Sequence, residues 1–287
     1  MGGDGELQAS KWLSPERALA LARWLIHSPP LWLRSEAISE RLVDWWGCEH
    51  DNLEAWSGIP NLNRIGILAE ELLGRFVENS KCLKLIKKGF AIRDEGRTLG
   101  EIDFLVLTPE GLEHWELGIK FYLLDPGSGL FIGANGRDRL DLKLSRMESH
   151  QLPLGSHPQV LSWCESEGLE KPVSKPLLKG RLFIPMGREE TTSTLDGELS
   201  DGGDRGVWMF EDDLDEAKEH WVQSESSFHS LDRKDWMSRN LELSSLKEER
   251  EERQFPLNKS FQGVVMKAGE ELDRVFIVPT AWPNLQV

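Results

Sequence analysis

The chain has 287 residues, of which 39% are hydrophobic, and it carries a formal net charge of −15 with a pI near 5.0. This length and apolar fraction suffice for a full hydrophobic core and exclude a chain that is disordered throughout. The net charge opposes long-range attraction to phosphates, and the three unclustered cysteines, Cys48, Cys82 and Cys164, argue against a disulfide framework or a zinc site.

Most of the net negative charge lies in one segment. Between residues 189 and 253 there are 20 acidic and 8 basic side chains, which leaves 29 acidic and 26 basic side chains in the rest of the chain. The segment can be a solvent-exposed excursion of the chain with no binding role, a surface for a protein partner, or a nucleic-acid mimic that shields a site. The N-terminus shows no basic and apolar leader, and no apolar run reaches the roughly 18 residues of a membrane span. We therefore expect no membrane partner and a cytoplasmic location.

The N-terminal part of the chain is predicted to be helical. Residues 14–27 and 35–47 have the composition of two helices, and Ser28-Pro29-Pro30 separates them because proline cannot continue a helix.

The next predicted helix spans residues 64–76, where apolar side chains recur at helical spacing. Glu70 projects at the edge of this stripe, beside Leu73, whereas Glu71 falls on the polar side. Only Glu70 is placed to face the protein, and the alternative is a boundary glutamate that reaches water.

Two strands, over residues 101–107 and 114–123, are joined by the turn Thr108-Pro109-Glu110-Gly111. Pro is favoured at the second position of a type I turn and Gly at the fourth, so the first and fourth residues of this turn pair. Antiparallel partners keep a constant sum of residue numbers. The same register therefore places Asp103 opposite Glu116, with their Cβ atoms ~5 Å apart.

Side-chain alternation puts Glu116, Gly118 and Lys120 on one face of the second strand and its apolar residues on the other, toward the core. Like charges across a strand pair are destabilising, by about 1 kcal/mol when hydrated and ~4 kcal/mol at intermediate dielectric. A divalent cation would compensate Asp103 and Glu116, and Gly118 leaves the neighbouring space open. The alternative is a solvated hairpin face with a salt bridge between Lys120 and Glu116.

Residues 138–150 are predicted to form a helix that begins near a capping Asn135 and has its apolar stripe toward the core. Four basic side chains repeat along this helix at the same spacing: Arg139, Lys143, Arg146 and His150. Such a row can hold a nucleic-acid phosphate backbone. Because acids are interleaved with it, an ion-paired, solvated face is the alternative.

The remaining segments complete an α/β pattern. Further strands are predicted near residues 82–93, 178–185, 206–210 and 274–279, charged helices at 211–222 and 230–252, and a long loop at 187–206. We expect a helical lead-in over residues 1–60, a core over 61–186, and an acidic helical segment with a closing strand over 187–287.

Three motifs carry a resemblance to a known family. They are GRTLGEIDF (96–104), HWELGIKFYL (114–123) and GANGRDRLDLKL (133–144). They resemble an uncharacterised family of bacterial proteins that is distantly related to the PD-(D/E)XK nucleases. The resemblance implies a PD-(D/E)XK-like core, in which helices flank a central mixed sheet, and metal-dependent hydrolysis of a nucleic-acid phosphodiester, with DNA as the expected substrate.

In the site that this resemblance implies, Asp103, Glu116 and the helical Glu70 hold Mg²⁺ or Mn²⁺. Lys120 orients the attacking water, so Asp103, Glu116 and Lys120 are the catalytic residues. The usual pattern places an acid two residues before the lysine, where this chain has Gly118. Glu116 is then either a displaced but working ligand or part of a degenerate site. The alternative function is an inactive nuclease-fold module that binds nucleic acid, or binds a protein partner through residues 189–253.

Overall fold

The computed structural model describes residues 11–94, 96–188, 192–195, 197–239 and 259–284. Over these ranges one mixed sheet runs through the molecule, and helices pack on both of its faces. The α-helices are α1 (Pro15–His27), α2 (Glu36–Asp44), α3 (Ile65–Asn79), α4 (Leu140–Arg146), α5 (Pro158–Ser166) and α6 (Leu214–Gln223). The strands are β1 (Lys84–Asp94), β2 (Arg97–Thr108), β3 (Gly111–Asp125), β4 (Leu130–Gly133), β5 (Val173–Pro185), β6 (Arg205–Phe210), β7 (Ser226–Ser230), β8 (Phe261–Lys267) and β9 (Glu270–Val278).

The strand order is β1-β2-β3-β5-β6-β9-β8-β7, with β4 paired to the end of β3. The first three strands form an antiparallel meander, β5, β6 and β9 continue in parallel, and β8 and β7 close the sheet in antiparallel pairing. The crossover from β3 to β5 carries α4 and α5, as a parallel connection requires. The predicted α/β class, a mixed sheet flanked by helices, is confirmed.

The predicted hairpin forms in the predicted register. Thr108 pairs with Gly111, and the β2–β3 ladder runs back from there to the pair Phe104 and Trp115. Beyond that pair β2 continues only along β1, while β3 continues along β5. The two strands therefore separate at the point where Asp103 and Glu116 would meet, and this fork positions the site.

The apolar face of β3 is buried as predicted. Trp115 is fully buried in a core that includes α1 and α3, and Leu117, Ile119 and Phe121 pack against the same core. Trp45, next to the end of α2, stacks on Trp115 with ring centroids 6.0 Å apart. Burying side chains of this size stabilises the fold by roughly 2–3 kcal/mol each. This packing fixes which face of β3 is turned toward α4.

The C-terminal part differs from the prediction. The helix predicted over residues 230–252 is wrong in its described part, where β7 ends at Ser230 and a short 3-10 helix covers Arg233–Met237. Its later residues, from 240, lie outside the described residues. Polar residues dominate β7, so its strand character comes from pairing with β8 rather than from an apolar pattern. The strands β4, β7 and β8 and the helix α5 were not anticipated.

Asn135 does not cap α4, contrary to the prediction. Its Oδ1 accepts hydrogen bonds from the N–H groups of Arg137 and Asp138 in the preceding turn, and the helix begins at Leu140.

In the described ranges, no helix is both long enough and apolar enough to cross a membrane.

Candidate functional site at the strand fork

Asp103 lies on β2 where that strand parts from β3. Its Oδ2 accepts a 2.8 Å hydrogen bond from the main-chain N–H of Leu117, a group that the β2–β3 ladder no longer uses. Burial, followed by the negative charge of Glu116, raises the pKa of Asp103 to about 7. The two carboxylates therefore lie close enough to repel each other, on the side of the sheet that the register predicted.

Glu116 is almost completely buried, with 1% of its surface exposed. Its Oε1 accepts a hydrogen bond from the side-chain amide of Gln151, and its Oε2 lies 3.5 Å from Nε2 of His114. Ser174 donates its one hydroxyl proton to the Leu152 carbonyl, so Nδ1 of His114, 3.0 Å from Ser174 Oγ, is the donor of that pair.

This arrangement leaves one oxygen of Glu116 without a hydrogen bond. The Nε2 atom of His114 lies 3.5 Å from Oε2, and the two do not form a hydrogen bond. Among the described residues Oε2 of Glu116 accordingly has no hydrogen-bond partner. The solvated hairpin face considered from the sequence is wrong, because Glu116 is buried and forms no salt bridge with Lys120.

Gly118 makes room for a lysine from the opposite element. A Cβ at position 118 would lie 2.8 Å from Leu178 Cδ1 and 3.4 Å from Cε of Lys143 on α4. The Nζ of Lys143 donates a 2.8 Å hydrogen bond to Oε1 of Gln151, whose amide nitrogen holds Glu116. Burial lowers the pKa of Lys143, and the charge of Glu116 opposes that effect. The space left open by the glycine is thus filled by Leu178 and by the aliphatic stem of Lys143, which carries an ammonium group.

Lys120 lies farther along β3 and has another partner. Its Nζ donates a hydrogen bond to Oδ2 of Asp138, and its side chain is 30% exposed. Lys120 and Asp138 border two hollows, one toward α3 and one toward Lys143 and Gln151. Strand alternation identifies Lys120 as a residue on the same face of β3 as Glu116, whereas no local signal links Lys143 or Gln151 to Glu116.

Glu70 faces the protein, as predicted. It is partly buried on α3 and lines the larger hollow, whereas Glu71, also partly buried, is absent from that lining and accepts a 2.6 Å hydrogen bond from Lys88 on β1. Burial is the main cause that raises the pKa of Glu70, and the charge of Glu116 adds to it. Glu70 also raises the pKa of Asp103. All three predicted carboxylates therefore act on one another electrostatically.

The fit to a divalent ion rests on Asp103 and Glu116. In the part of the chain that the structure describes, no three His, Cys, Asp or Glu side chains are arranged to hold a metal ion between them. Mg²⁺ commonly needs only one or two protein carboxylates, with water and substrate phosphate completing its shell. Two close carboxylates, one with a buried oxygen that lacks a partner, match that smaller set.

The predicted basic row is not brought together as one exposed face. Arg139 precedes α4 and pairs with Asp141, and Lys143 turns toward Glu116. His150 is exposed, and its Nε2 lies 3.1 Å from the Leu99 carbonyl oxygen. Arg146 borders the hollow that also contains Lys143 and Gln151. The structure thus separates the four side chains into different roles.

The larger hollow is a cleft of about 770 Å³ between α3, β3 and the C-terminal strands. Its lining includes Glu70 and Lys120 and also side chains that the sequence analysis did not select: Arg64, Arg233, Trp236 and Lys259. These residues are far apart in the chain, so no local pattern identifies them.

Comparison with known proteins places the chain in one family. The family model DUF1853, described as a domain of unknown function, matches residues 17–278. No curated protein and no solved structure matches the chain.

Proposed function

The chain belongs to the DUF1853 family of domains of unknown function, and we propose that it is a metal-dependent, nuclease-like enzyme that hydrolyses a nucleic-acid phosphodiester. One observation carries the proposal: at the fork between β2 and β3, the charge of the buried Glu116 acts on the half-buried Asp103, and an oxygen of Glu116 has no hydrogen-bond partner among the described residues. Folding alone gives no reason to keep such a pair.

The energetic cost of the pair supports a functional role. In general, two charged carboxylates ~5 Å apart repel by about 3 kcal/mol at an effective dielectric of about 20. Titratable groups whose pKa values are shifted by burial and by a like charge cluster at functional sites. The PD-(D/E)XK resemblance supplies the corresponding elements, namely an acid on one strand, an acid and a lysine on the next, and a glutamate on the preceding helix.

Asp103 and Glu116 would hold Mg²⁺ or Mn²⁺, with Glu70 in electrostatic reach. Such an ion, when bound, activates water as a nucleophile and stabilises negative charge on phosphoryl oxygens. The Leu117 N–H fixes the Asp103 carboxylate, and Gln151 fixes one oxygen of Glu116. These bonds limit the carboxylates to one orientation each before any substrate arrives.

Two lysines serve the proposed reaction in different ways. Lys143 is held over Gly118 by Gln151, and its charge acts on both Asp103 and Glu116. Lys120 is at the border of the cleft, where Asp138 orients it. We assign both to stabilising charge on the phosphoryl group and to orienting the attacking water, with Lys143 nearer the carboxylates and Lys120 nearer the cleft.

A specific observation supports the second candidate, an inactive nuclease-fold module that binds nucleic acid or a protein partner. Gly118 occupies the place of the acid two residues before Lys120, and Lys120 is already paired with Asp138. A site that had lost catalysis would keep this geometry without turnover.

Plasmid nicking in the presence of Mn²⁺ tests the proposal. The intact protein should nick supercoiled DNA, and Asp103→Asn and Glu116→Gln should each lower the rate by roughly 10² or more, as expected on removal of a positioned charge. Lys171→Ala, an exposed position away from the fork, is the control. Glu113, the acid three residues before Glu116 on β3, is not a suitable control. It is buried, its carboxylate accepts a 2.9 Å hydrogen bond from Arg41, and it also accepts one from the indole N–H of Trp115. Nicking that is unchanged in both acid variants contradicts the proposal.

A further inference from the structure

We propose that the cleft beside the carboxylate fork binds single-stranded nucleic acid, so that the substrate is an unpaired strand or a frayed end rather than intact duplex. This inference rests on the proposed function, because the cleft opens onto Glu70 and Lys120. The inference specifies the form of the substrate and names residues that bind the strand at positions distant from the reacting phosphate.

The cleft concentrates positive charge in an acidic chain. Arg64, Arg233 and Lys259 line it and are exposed, and among the described residues none of them forms an ion pair with a carboxylate. Lys120 adds a fourth positive charge, and Glu70 and Asp138 are the acids in the lining. A lining with excess positive charge in a chain of net charge −15 is a local attraction for phosphates.

The walls of the cleft also carry aromatic surface. Phe121 and Trp236 both line it and are only partly buried, and their rings meet edge to face at 5.5 Å. The guanidinium of Arg233 lies 5.5 Å from the centre of the Trp236 ring, so a cation and an aromatic ring are adjacent in the cleft. Aromatic side chains beside a cationic groove are typical of single-strand binding, because every unpaired base offers a face for stacking.

The shape of the charged surface favours one strand over two. The cleft, at about 770 Å³, is bounded by α3, β3 and the segments on either side of β8, so Arg64, Arg233 and Lys259 border one cleft rather than a broad face. A duplex instead needs a broad contact surface, commonly 1,000–2,500 Å² of protein. The row on α4 that would have supplied such a surface is divided, with Arg139 paired to Asp141 and Lys143 turned inward.

Fluorescence anisotropy in EDTA tests the inference separately from cleavage. The probes are a fluorescein-labelled 12-nucleotide DNA of mixed sequence and the same strand in a duplex. The intact protein should bind the single strand at least tenfold more tightly. Arg233→Gln combined with Lys259→Gln should weaken single-strand binding roughly tenfold and reduce the slope of log K against log salt by about 1.4, or about 0.7 for each phosphate that the protein no longer neutralises.

Two further variants complete the design. Arg97→Gln combined with Lys171→Gln removes two exposed charges outside the cleft and should change neither the affinity nor the salt slope. Trp236→Leu should weaken binding roughly fivefold or more because the base can no longer stack on an indole, with the salt slope unchanged. A thermal melt of each variant verifies folding, and the charge variants at exposed positions decide the matter if the tryptophan variant is unstable.

The outcomes separate this inference from the proposed function. Equal or tighter binding of the duplex, or equal losses in the cleft and control variants, overturns the single-strand inference even if Mn²⁺-dependent nicking occurs. Cleft-dependent single-strand binding by a protein that never nicks DNA upholds the inference and contradicts the proposed enzyme. Asp103→Asn should retain single-strand binding in EDTA, because that residue is outside the cleft lining.

Discussion

The main-chain N–H of Leu117 donates a 2.8 Å hydrogen bond to the carboxylate of Asp103. In a regular ladder that N–H would pair with a carbonyl of β2, but the β2–β3 pairing ends at Phe104 and Trp115. Asp103 thus substitutes for the missing strand partner and is held beside Glu116. We expect the resulting pair of carboxylates to make the stability of the protein depend on pH and, if the proposed metal binds, on divalent cations.

Asp103→Asn should stabilise the metal-free protein at alkaline pH. The folded-state pKa of Asp103, raised to about 7, exceeds its ordinary value of 3.8, so the native state binds more protons than the unfolded state between these values. Wild-type stability should therefore fall as the pH rises from about 4 to 7, by at most ~4 kcal/mol, and the asparagine variant should avoid that loss. Urea denaturation in EDTA from pH 4 to 8.5 measures this. Asp215→Asn, at a 96% exposed side chain, is the control, and parallel curves for wild type and Asp103→Asn contradict the prediction.

Mn²⁺ should bind with an affinity that depends on both strand carboxylates. Asp103→Asn and Glu116→Gln each remove one negative charge, and each should weaken binding by an order of magnitude or more, whereas Lys171→Ala should leave binding unchanged. Isothermal titration calorimetry at pH 7.5 gives the three affinities. Binding that is insensitive to both acid substitutions would show that the ion binds elsewhere.

Substitution of Lys143 and of Lys120 should have different effects on metal binding and on single-strand binding. Lys143→Ala removes the ammonium nearest Glu116 and the donor to Gln151, so it should lower turnover by roughly 10² or more while Mn²⁺ binding is kept or strengthened. Lys120→Ala should also lower turnover with the metal still bound, but it should additionally weaken single-strand binding, because Lys120 lines the cleft. Nicking rates, calorimetry and anisotropy on the same two proteins test the contrast. Identical profiles for the two variants would refute the division of roles.

Lys179 should give the opposite pH dependence from Asp103. It is buried, donates to the carbonyls of Ile26 and Ser28 at the end of α1, and burial lowers its pKa from 10.5 to about 7. The native state therefore binds fewer protons than the unfolded state between pH 7 and 10.5, and stability should rise over that range by an amount on the order of a few kcal/mol. Lys179→Met should lack this rise in urea denaturation from pH 7 to 10. A rise of equal size in the variant would assign it to other groups.

The role of the acidic segment, residues 189–253, cannot be tested by deleting it. The deletion would remove β6, which lies between β5 and β9 in the sheet. Neutralising exposed acids at the start of α6 is the milder change. Asp213→Asn, Asp215→Asn and Glu216→Gln together should raise single-strand affinity severalfold at low salt if the segment repels phosphate, and the difference should disappear at 0.5 M salt. If this variant instead loses a cellular protein partner with unchanged DNA affinity, the segment is a protein-binding surface.

The hairpin register and the face that carries Glu116 were readable from local chemistry, whereas the separation of β2 and β3 at Asp103 was not. A Pro and Gly turn sets the register of one hairpin, the two-residue period of a strand decides that Glu116 and Trp115 face opposite sides, and a helical period separates Glu70 from Glu71. Each of these rules acts over a few residues, and each was confirmed. The same rules failed at β7, where polar residues form a strand because β8 pairs with them.

The groups around the fork depend on packing over long sequence separations. Lys143 and Gln151 reach Glu116 only because α4 packs over Gly118, and a glycine does not specify what will fill its space. Arg64, Arg233 and Lys259 come together because the start of α3, the 3-10 helix after β7 and the segment before β8 border the same cleft. The sequence by itself determined the hairpin, its carboxylates and their face, because backbone periodicity and turn chemistry are local. The tertiary structure alone decided which cations meet those carboxylates, because that depends on how distant segments share one core.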